Sequence, residues 1–135
     1  MDKSRPDGLS FETLLLIIEI NNYFKLKNKN NKKLYGISIC AIFKDESIYL
    51  KEWIEFHLLI WIEHFYLYNN FSKDSYLEVL KPYIEKNIVT LREWPVKVGQ
   101  ISEYEDCYLN YKEETKWICF LDIDEFICFC MMRKT

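Results

Sequence analysis

Glycine and proline are scarce in this chain, with three of each, so few positions punctuate it and most of its length is expected in regular elements joined by short loops. A cationic excess is also missing. The 18 basic and 21 acidic residues leave a formal charge of −3, which offers no electrostatic footprint for a phosphate backbone and argues against nucleic acid as a partner. Cysteine occurs at positions 40, 107, 119, 128 and 130, yet none of these forms the CxxC pair that zinc ribbons and thioredoxin-like motifs use. Three of the five sit in apolar runs, and the odd count without an export signal points to reduced, mostly buried thiols rather than a metal-thiolate centre. Long apolar runs are lacking as well. Leu14–Ile18 lies between Glu12 and Glu19, far short of the roughly 20 apolar residues of a spanning helix. Asp2, Asp7 and Glu12 acidify the start and no small-residue cleavage site follows, so a secretory signal is not read there. What the chain does have is apolar mass, 50% hydrophobic and 17% aromatic over 135 residues. That excludes a disordered tail or a linker and amounts to one domain's worth of chain.

Residues 10–27 read as a helix with Ser10 as its N-cap. Residues 25–33 carry five lysines and three asparagines, the composition of a solvated linker; attraction to an anionic membrane surface is the alternative. Residues 1–34 are therefore set apart from 35–135. From Tyr35 the pattern alternates between strand and helix. Gly36–Phe43 is a near-continuous apolar run, as expected for a strand buried on both faces. Ser47–Trp61 follows as a helix with Leu50, Ile54, His57 and Trp61 at helical spacing and Lys51, Glu52 and Glu55 opposite. His57 is thus a core histidine rather than a catalytic one. Glu63–Asn69 is a second strand, closed by the turn formers Asn69 and Asn70. Ser72 or Asp74 can cap a helix in which Leu77, Leu80 and Ile84 share a face, with Pro82 as an irregularity. Ile88–Leu91 is a short third strand. Ser102 and Glu105 form an S-x-x-E capping box ahead of Tyr104, Cys107, Tyr108 and Tyr111 at i, i+3, i+4 and i+7. Lys116–Leu121 is a fourth strand running into Asp122-Ile123-Asp124-Glu125. Four strands separated by three helices predict an α/β fold, a parallel sheet with helices on both faces.

Parallel α/β sheets bind ligands beyond the carboxyl ends of their strands, and here those ends are Lys44-Asp45-Glu46, Asn69-Asn70, Arg92-Glu93 and Asp122-Ile123-Asp124-Glu125. In an extended backbone, residues two apart project to the same side, so Asp122 and Asp124 can face one point in the crevice. There a hard divalent ion, Mg²⁺ or Mn²⁺, could bridge them to phosphate oxygens. The plain alternative is an acidic turn that only caps the next segment. A phosphoryl-transfer or phosphatase-like acidic site is a further reading, although such folds usually place their key aspartates on an early central strand.

Four ordered blocks carry a resemblance. They are Ile39–Glu46 (ICAIFKDE), Tyr49–His57 (YLKEWIEFH), His64–Asp74 (HFYLYNNFSKD) and Phe120–Phe126 (FLDIDEF). Together, over about residues 35–128, the chain resembles the family 92 and family 2-like glycosyltransferases of GT-A fold. The resemblance implies a nucleotide-sugar-dependent transferase with a Rossmann-type parallel sheet. Asp122 and Asp124 would be its D-x-D carboxylates, holding Mn²⁺ or Mg²⁺ against the diphosphate of a UDP-sugar. Lys44, Asp45 and Glu46 would lie near the nucleoside, and the turn containing Asn70 and Asp74 would line base and ribose. Gln100 and Asp106 match a stretch that closes over the nucleotide. The acceptor would be a glycan or a lipid.

The departures are specific. Trp61 and Asn87 stand where the family commonly has glycine to supply a left-handed turn, Asp45 replaces a more usual asparagine, and Cys119 occupies a small-residue position. The resemblance also places the acceptor half, with the general base of an inverting transferase, after the D-x-D. The chain ends ten residues beyond Glu125, and Cys128–Thr135 is unlike the family continuation. The expectation is therefore the donor-binding half of a transferase, truncated after the fourth strand. Its alternative is an inactive remnant or interaction module that self-associates through exposed strand edges. The expected location is cytoplasmic, with membrane contact through residues 10–33 as the alternative to a free linker.

Overall fold

The run Tyr35–Phe43 forms the first strand (β1) and His64–Asn69 the second (β2); every residue of β2 is buried, as two covered faces require. The computed structural model describes residues 15–20, 22, 33–97 and 100–128. Within them the remaining elements are α1 (Ser47–Leu59), α2 (Tyr76–Glu85), β3 (Val89–Glu93), α3 (Gln100–Tyr111) and β4 (Thr115–Phe120). The four strands make one all-parallel sheet in the order β3-β2-β1-β4. The first three strands step outward in one direction, and the chain then returns to place β4 on the free side of β1. That reversal puts α3 on the face opposite α1 and α2.

Strand alternation sorts the side chains between two cores. Ile39, Ala41 and Phe43 of β1 join Phe65 and Leu67 of β2 in an apolar core with Leu50, Trp53 and Ile54 of α1 and Leu80 of α2. Ile17, in the helical stretch 15–20, is buried in the same cluster. On the other face Cys40, Tyr66, Tyr68 and Cys107 form a smaller core beneath α3. Its phenols reach carboxylates, Tyr66 donating to Glu114 at 2.9 Å and Tyr68 to Asp106 at 2.6 Å. Cys40 and Cys107 are buried free thiols, Cys119 is half-buried and Cys128 is exposed.

Several local readings change. Ser75, not Ser72 or Asp74, precedes α2, and its side chain makes no capping bond. The buried face of α2 is Tyr76, Leu80 and Tyr83, while Leu77 and Ile84 stay exposed, because the two phenols gain partners inward, Glu93 at 3.0 Å and Glu55 at 2.6 Å. Helix α3 begins at Gln100, so Ser102 lies within its first turn rather than at the N-cap position. Its buried residues are Glu103 and Cys107, with Tyr108 exposed. Strand β3 runs on to Glu93 because β2 supplies partners as far as Asn69. The proposed cap Ser10 and most of the 25–33 segment lie outside the described residues. Lys33 is within them and donates to the Lys112 carbonyl and the Glu113 carboxylate. Among the described residues no helix is long and apolar enough to cross a membrane.

Helices α1 and α2 end in the same way. After α1, Trp61 N–H donates to Leu58 O and Ile62 N–H to His57 O; after α2, Asn87 N–H donates to Ile84 O and Ile88 N–H to Tyr83 O. These are two Schellman closures with a left-handed residue at the pivot. The pivots are Trp61 at φ 71° and Asn87 at φ 57°, the two positions where glycine was expected. Trp61 therefore lies past the apolar stripe of α1, with its ring about half exposed.

Candidate functional site

The reversal of strand order leaves a crevice between the carboxyl ends of β1 and β4, the place where such sheets take ligands. It holds a cleft of ≈ 430 Å³ lined by Lys44, Glu46, Asn70, Gln100, Asp122 and Asp124, with Ile42 and Ile123 among its apolar walls. The structure thus brings together six of the nine sequence-selected residues: Lys44, Glu46, Asn70, Gln100, Asp122 and Asp124.

Asp122 and Asp124 do not share a face through an extended strand. Strand β4 ends at Phe120 and residues 122–125 form a turn, closed by Glu125 N–H donating to Asp122 O at 3.0 Å. Ile123 turns inward, 2% exposed, and its burial anchors the turn while both carboxylates reach the cleft. Gln100, the first residue of α3, donates to Asp122 Oδ1 at 3.1 Å, and Asp122 N–H donates to the Glu125 carboxylate at 2.9 Å. From the α1 side, Trp53 and His57 bond to the backbone of residues 125 and 127.

Carboxylates crowd this crevice. Burial pushes the Asp122 carboxyl above its ordinary value, and the charges of Glu125 and Asp124 push it further. Glu46 is likewise held up by burial and by Asp124, Asp122 and Asp74. Beneath them Glu103, wholly buried, is pushed up to about 7, chiefly by desolvation. One of its oxygens accepts from Cys40 Sγ–H at 2.7 Å and the other has no hydrogen-bond partner among the described residues.

The remaining sequence-selected residues lie elsewhere or are otherwise engaged. Asp45, at φ 52°, turns the chain out of β1 and crosses to the loop after β2, accepting from Lys73 N–H at 2.6 Å and donating its own N–H to Ser72 Oγ at 2.9 Å. Asp74 accepts from Ser47 N–H at 2.8 Å, placing a negative charge at the N-terminus of α1, where Glu46 provides no side-chain cap. Asp106 faces the second core, where it takes the Tyr68 phenol, pairs with Arg92 at 3.6 Å and accepts from Asn110. Asn70 lines the cleft, but its amide nitrogen is committed to the carbonyls of Trp94 and Val96 at 2.8 Å each.

Sequence reasoning did not single out Glu103 or Trp53. The available signal for Trp53 was its i, i+4 spacing with His57 on the apolar face of α1, since a buried indole N–H demands an acceptor.

Among the described residues, no group of three or more His, Cys, Asp or Glu side chains is arranged to hold a metal ion unaided. Mg²⁺-like ions are commonly held by one or two carboxylates together with substrate phosphates. Asp122 and Asp124, crowded by like charge and open to the cleft, fit that mode.

A sequence profile of glycosyltransferase family 92 matches residues 33–134. The chain is 31% identical over 126 residues to a glycosyltransferase family 92 protein of Oryza sativa subsp. japonica, covering 93% of this chain and 22% of that protein. To one of Ricinus communis it is 30% identical over 101 residues, 74% and 18% of the respective chains. To a galactan β-1,4-galactosyltransferase of Arabidopsis thaliana it is 34% identical over 122 residues, 77% and 23%. The chain spans about a fifth of the length of these curated relatives. No solved structure matches it.

Proposed function

The chain belongs to glycosyltransferase family 92, and from that premise we propose that the β1/β4 crevice binds the diphosphate of a UDP-sugar together with Mn²⁺ or Mg²⁺. One observation carries the reading: two carboxylates on an anchored turn, at the switch point of a parallel sheet, are crowded by further negative charge and open to the cleft. Asp122 and Asp124 would hold the ion. When bound, it supplies positive charge against the diphosphate as the bond to the sugar breaks.

The chain's own residues would do the rest. Gln100 orients Asp122 by bonding one of its carboxylate oxygens. Lys44, exposed at the cleft, offers a second positive charge to phosphate. Asn70, tied to the loop after β3, fixes the wall of the cleft on the β2 side. In the transfer, the bond from the anomeric carbon to the diphosphate oxygen breaks and its electron pair leaves with the diphosphate. An acceptor hydroxyl oxygen forms the new bond and loses its proton to a base. No described residue is assigned that last role. The likeness to a galactan β-1,4-galactosyltransferase supports UDP-galactose as the first donor to try and β-1,4-galactan as the first acceptor.

Calorimetry of the full chain with UDP is the test. Binding should require Mn²⁺ or Mg²⁺, and Asp124→Asn should weaken it at least about tenfold, or 1.4 kcal/mol. Folded protein that binds UDP equally with and without the cation, or not at all, refutes the reading.

A further inference from the structure

We infer that His57 and Trp53 are positioning residues for the Asp122–Asp124 turn, latching the segment that follows β4 to α1 through side-chain bonds to its backbone. The inference rests on the proposal that Asp122 and Asp124 hold a cation, but the latch itself is a matter of geometry. Trp53, wholly buried, donates its indole N–H to Glu125 O at 2.8 Å. His57, also wholly buried, meets the backbone N–H of Ile127 with Nε2 at 3.3 Å and the carbonyl of Trp53 with Nδ1 at 2.8 Å. A backbone N–H can only donate and a carbonyl can only accept. The ring therefore carries its proton on Nδ1 and leaves Nε2 as a bare acceptor. Phe126 completes the clasp, stacked on the imidazole at 5.7 Å and set edge-on to Phe56 at 5.0 Å.

These contacts fix the backbone just after the carboxylate pair, on the side away from Gln100. The turn needs that support, because the carboxylates of Asp122, Asp124 and Glu125 push against one another, and a metal-binding pair must be held within about half an ångström of its working geometry.

The latch is also sensitive to protonation. A second proton on His57 would set an N–H against the Ile127 N–H, exchanging a hydrogen bond for two opposed donors. The ring neighbours are Trp53 and Phe56 on α1, Phe65 on β2, and Phe126 beyond β4. None is charged, and burial lowers the imidazole below its ordinary value. At neutral pH the ring is neutral and the latch is closed.

Two variants test this in the full chain. His57→Gln can present an amide oxygen near the position of Nε2 and does not titrate; His57→Phe keeps a ring and loses the acceptor. Hydrogen exchange at the Ile127 amide, compared with amides of β1, reads the latch without any ligand. It should be slow in the wild type and in His57→Gln at pH 7.5, and selectively fast in His57→Phe. Calorimetry with UDP and Mn²⁺ should give an affinity about ten- to a hundredfold weaker for His57→Phe, the usual cost of losing an outer-shell partner. The affinity of His57→Gln should stay near wild type at pH 7.5 and fall less than wild type between pH 7 and 5. Wild-type exchange at Ile127 in His57→Phe overturns the latch, and a His57→Gln affinity profile between pH 7 and 5 that superimposes on wild type overturns its sensitivity to protonation. Wild-type protein that binds no UDP with Mn²⁺ overturns the proposed function instead, and the exchange measurement still decides the latch.

Discussion

Along the rim of β1, β2 and β3 polar side chains are spent on one another, whereas along the rim between β1 and β4 carboxylate stands against carboxylate. On the first rim Asp45 reaches Lys73 N–H, Asp74 reaches Ser47 N–H, Asn69 joins the Ser72 amide to the Glu93 carboxylate, and Asn70 ties two carbonyls of the loop after β3. On the second, Glu46 and Asp122 are both held above ordinary values by burial and by acidic neighbours, and Gln100 is the neutral side chain that bonds Asp122. Residue types that look alike in sequence thus serve different ends. The first set closes loops through bonds to backbone and side chains, and of its carboxylates Asp74 also bears on Glu46 across the rim. The second keeps charge in reserve, which costs stability unless something positive arrives.

The largest effect that would sharpen this contrast comes from Glu103, beneath the second rim. Its carboxyl is pushed up to about 7, so the folded protein keeps a proton that the unfolded chain has released. The stability linked to that proton is fully present below the ordinary carboxylate value and lost as pH rises through about 7, a decline on the order of 3 kcal/mol. Glu103→Gln should flatten the decline in urea unfolding between pH 5 and 8. Parallel profiles for variant and wild type would place the buried strain elsewhere.

Next in size is Asn69→Ala on the first rim. The side chain is 3% exposed and serves the Ser72 amide and the Glu93 carboxylate at once. Its loss should cost about 2 kcal/mol in urea unfolding. A cost below about 0.5 kcal/mol would mean that the bonds of the first rim do not hold its loops together.

Trp61 gives a smaller effect of opposite sign. A bulky residue at φ 71° carries roughly 1–2 kcal/mol of left-handed strain, partly offset because glycine is looser in the unfolded chain. Trp61→Gly should therefore raise stability by about 0.5–1 kcal/mol, and Asn87→Gly by less, since asparagine tolerates that conformation. Equal gains at both positions would show that the ring contacts of Trp61, not its backbone, decide the matter.

These two pivots also mark what the sequence made legible. Strand alternation and the burial of His57 follow from local pattern, so each was open to reading one segment at a time, whereas the left-handed turns at Trp61 and Asn87 were legible only through the family resemblance, since local spacing placed Trp61 on the stripe of α1. The partners of Asp45, Asp74 and Asp106 were not legible in that way, because every strand end here is polar. Which carboxylate bonds a loop and which faces the cleft depends on partners 27, 28 and 38 residues away in sequence. The face of α2 departs from its apolar spacing for a related reason. Tyr76 and Tyr83 bury their rings because Glu93 and Glu55 wait to accept their hydroxyls, and no property of the helix alone announces that.

The smallest effect on stability is also the one that bears most directly on the comparison. Asp122 sits among like charges, and its raised carboxyl means that ionising it in the folded state is disfavoured. By linkage, any stability tied to its proton is present at acid pH and lost as pH rises past its raised value. Replacing it by asparagine keeps an oxygen for Gln100 and removes the repulsion. Asp122→Asn should therefore leave urea unfolding at neutral pH unchanged or improved, within about 0.5 kcal/mol, while metal-dependent UDP binding falls at least about tenfold. A residue kept for its bonds to the fold behaves as Asn69 does and weakens the protein when lost. A residue kept for a ligand can be removed at no cost to the fold, and Asp122→Asn destabilised as much as Asn69→Ala would move the β4 turn from the second class to the first.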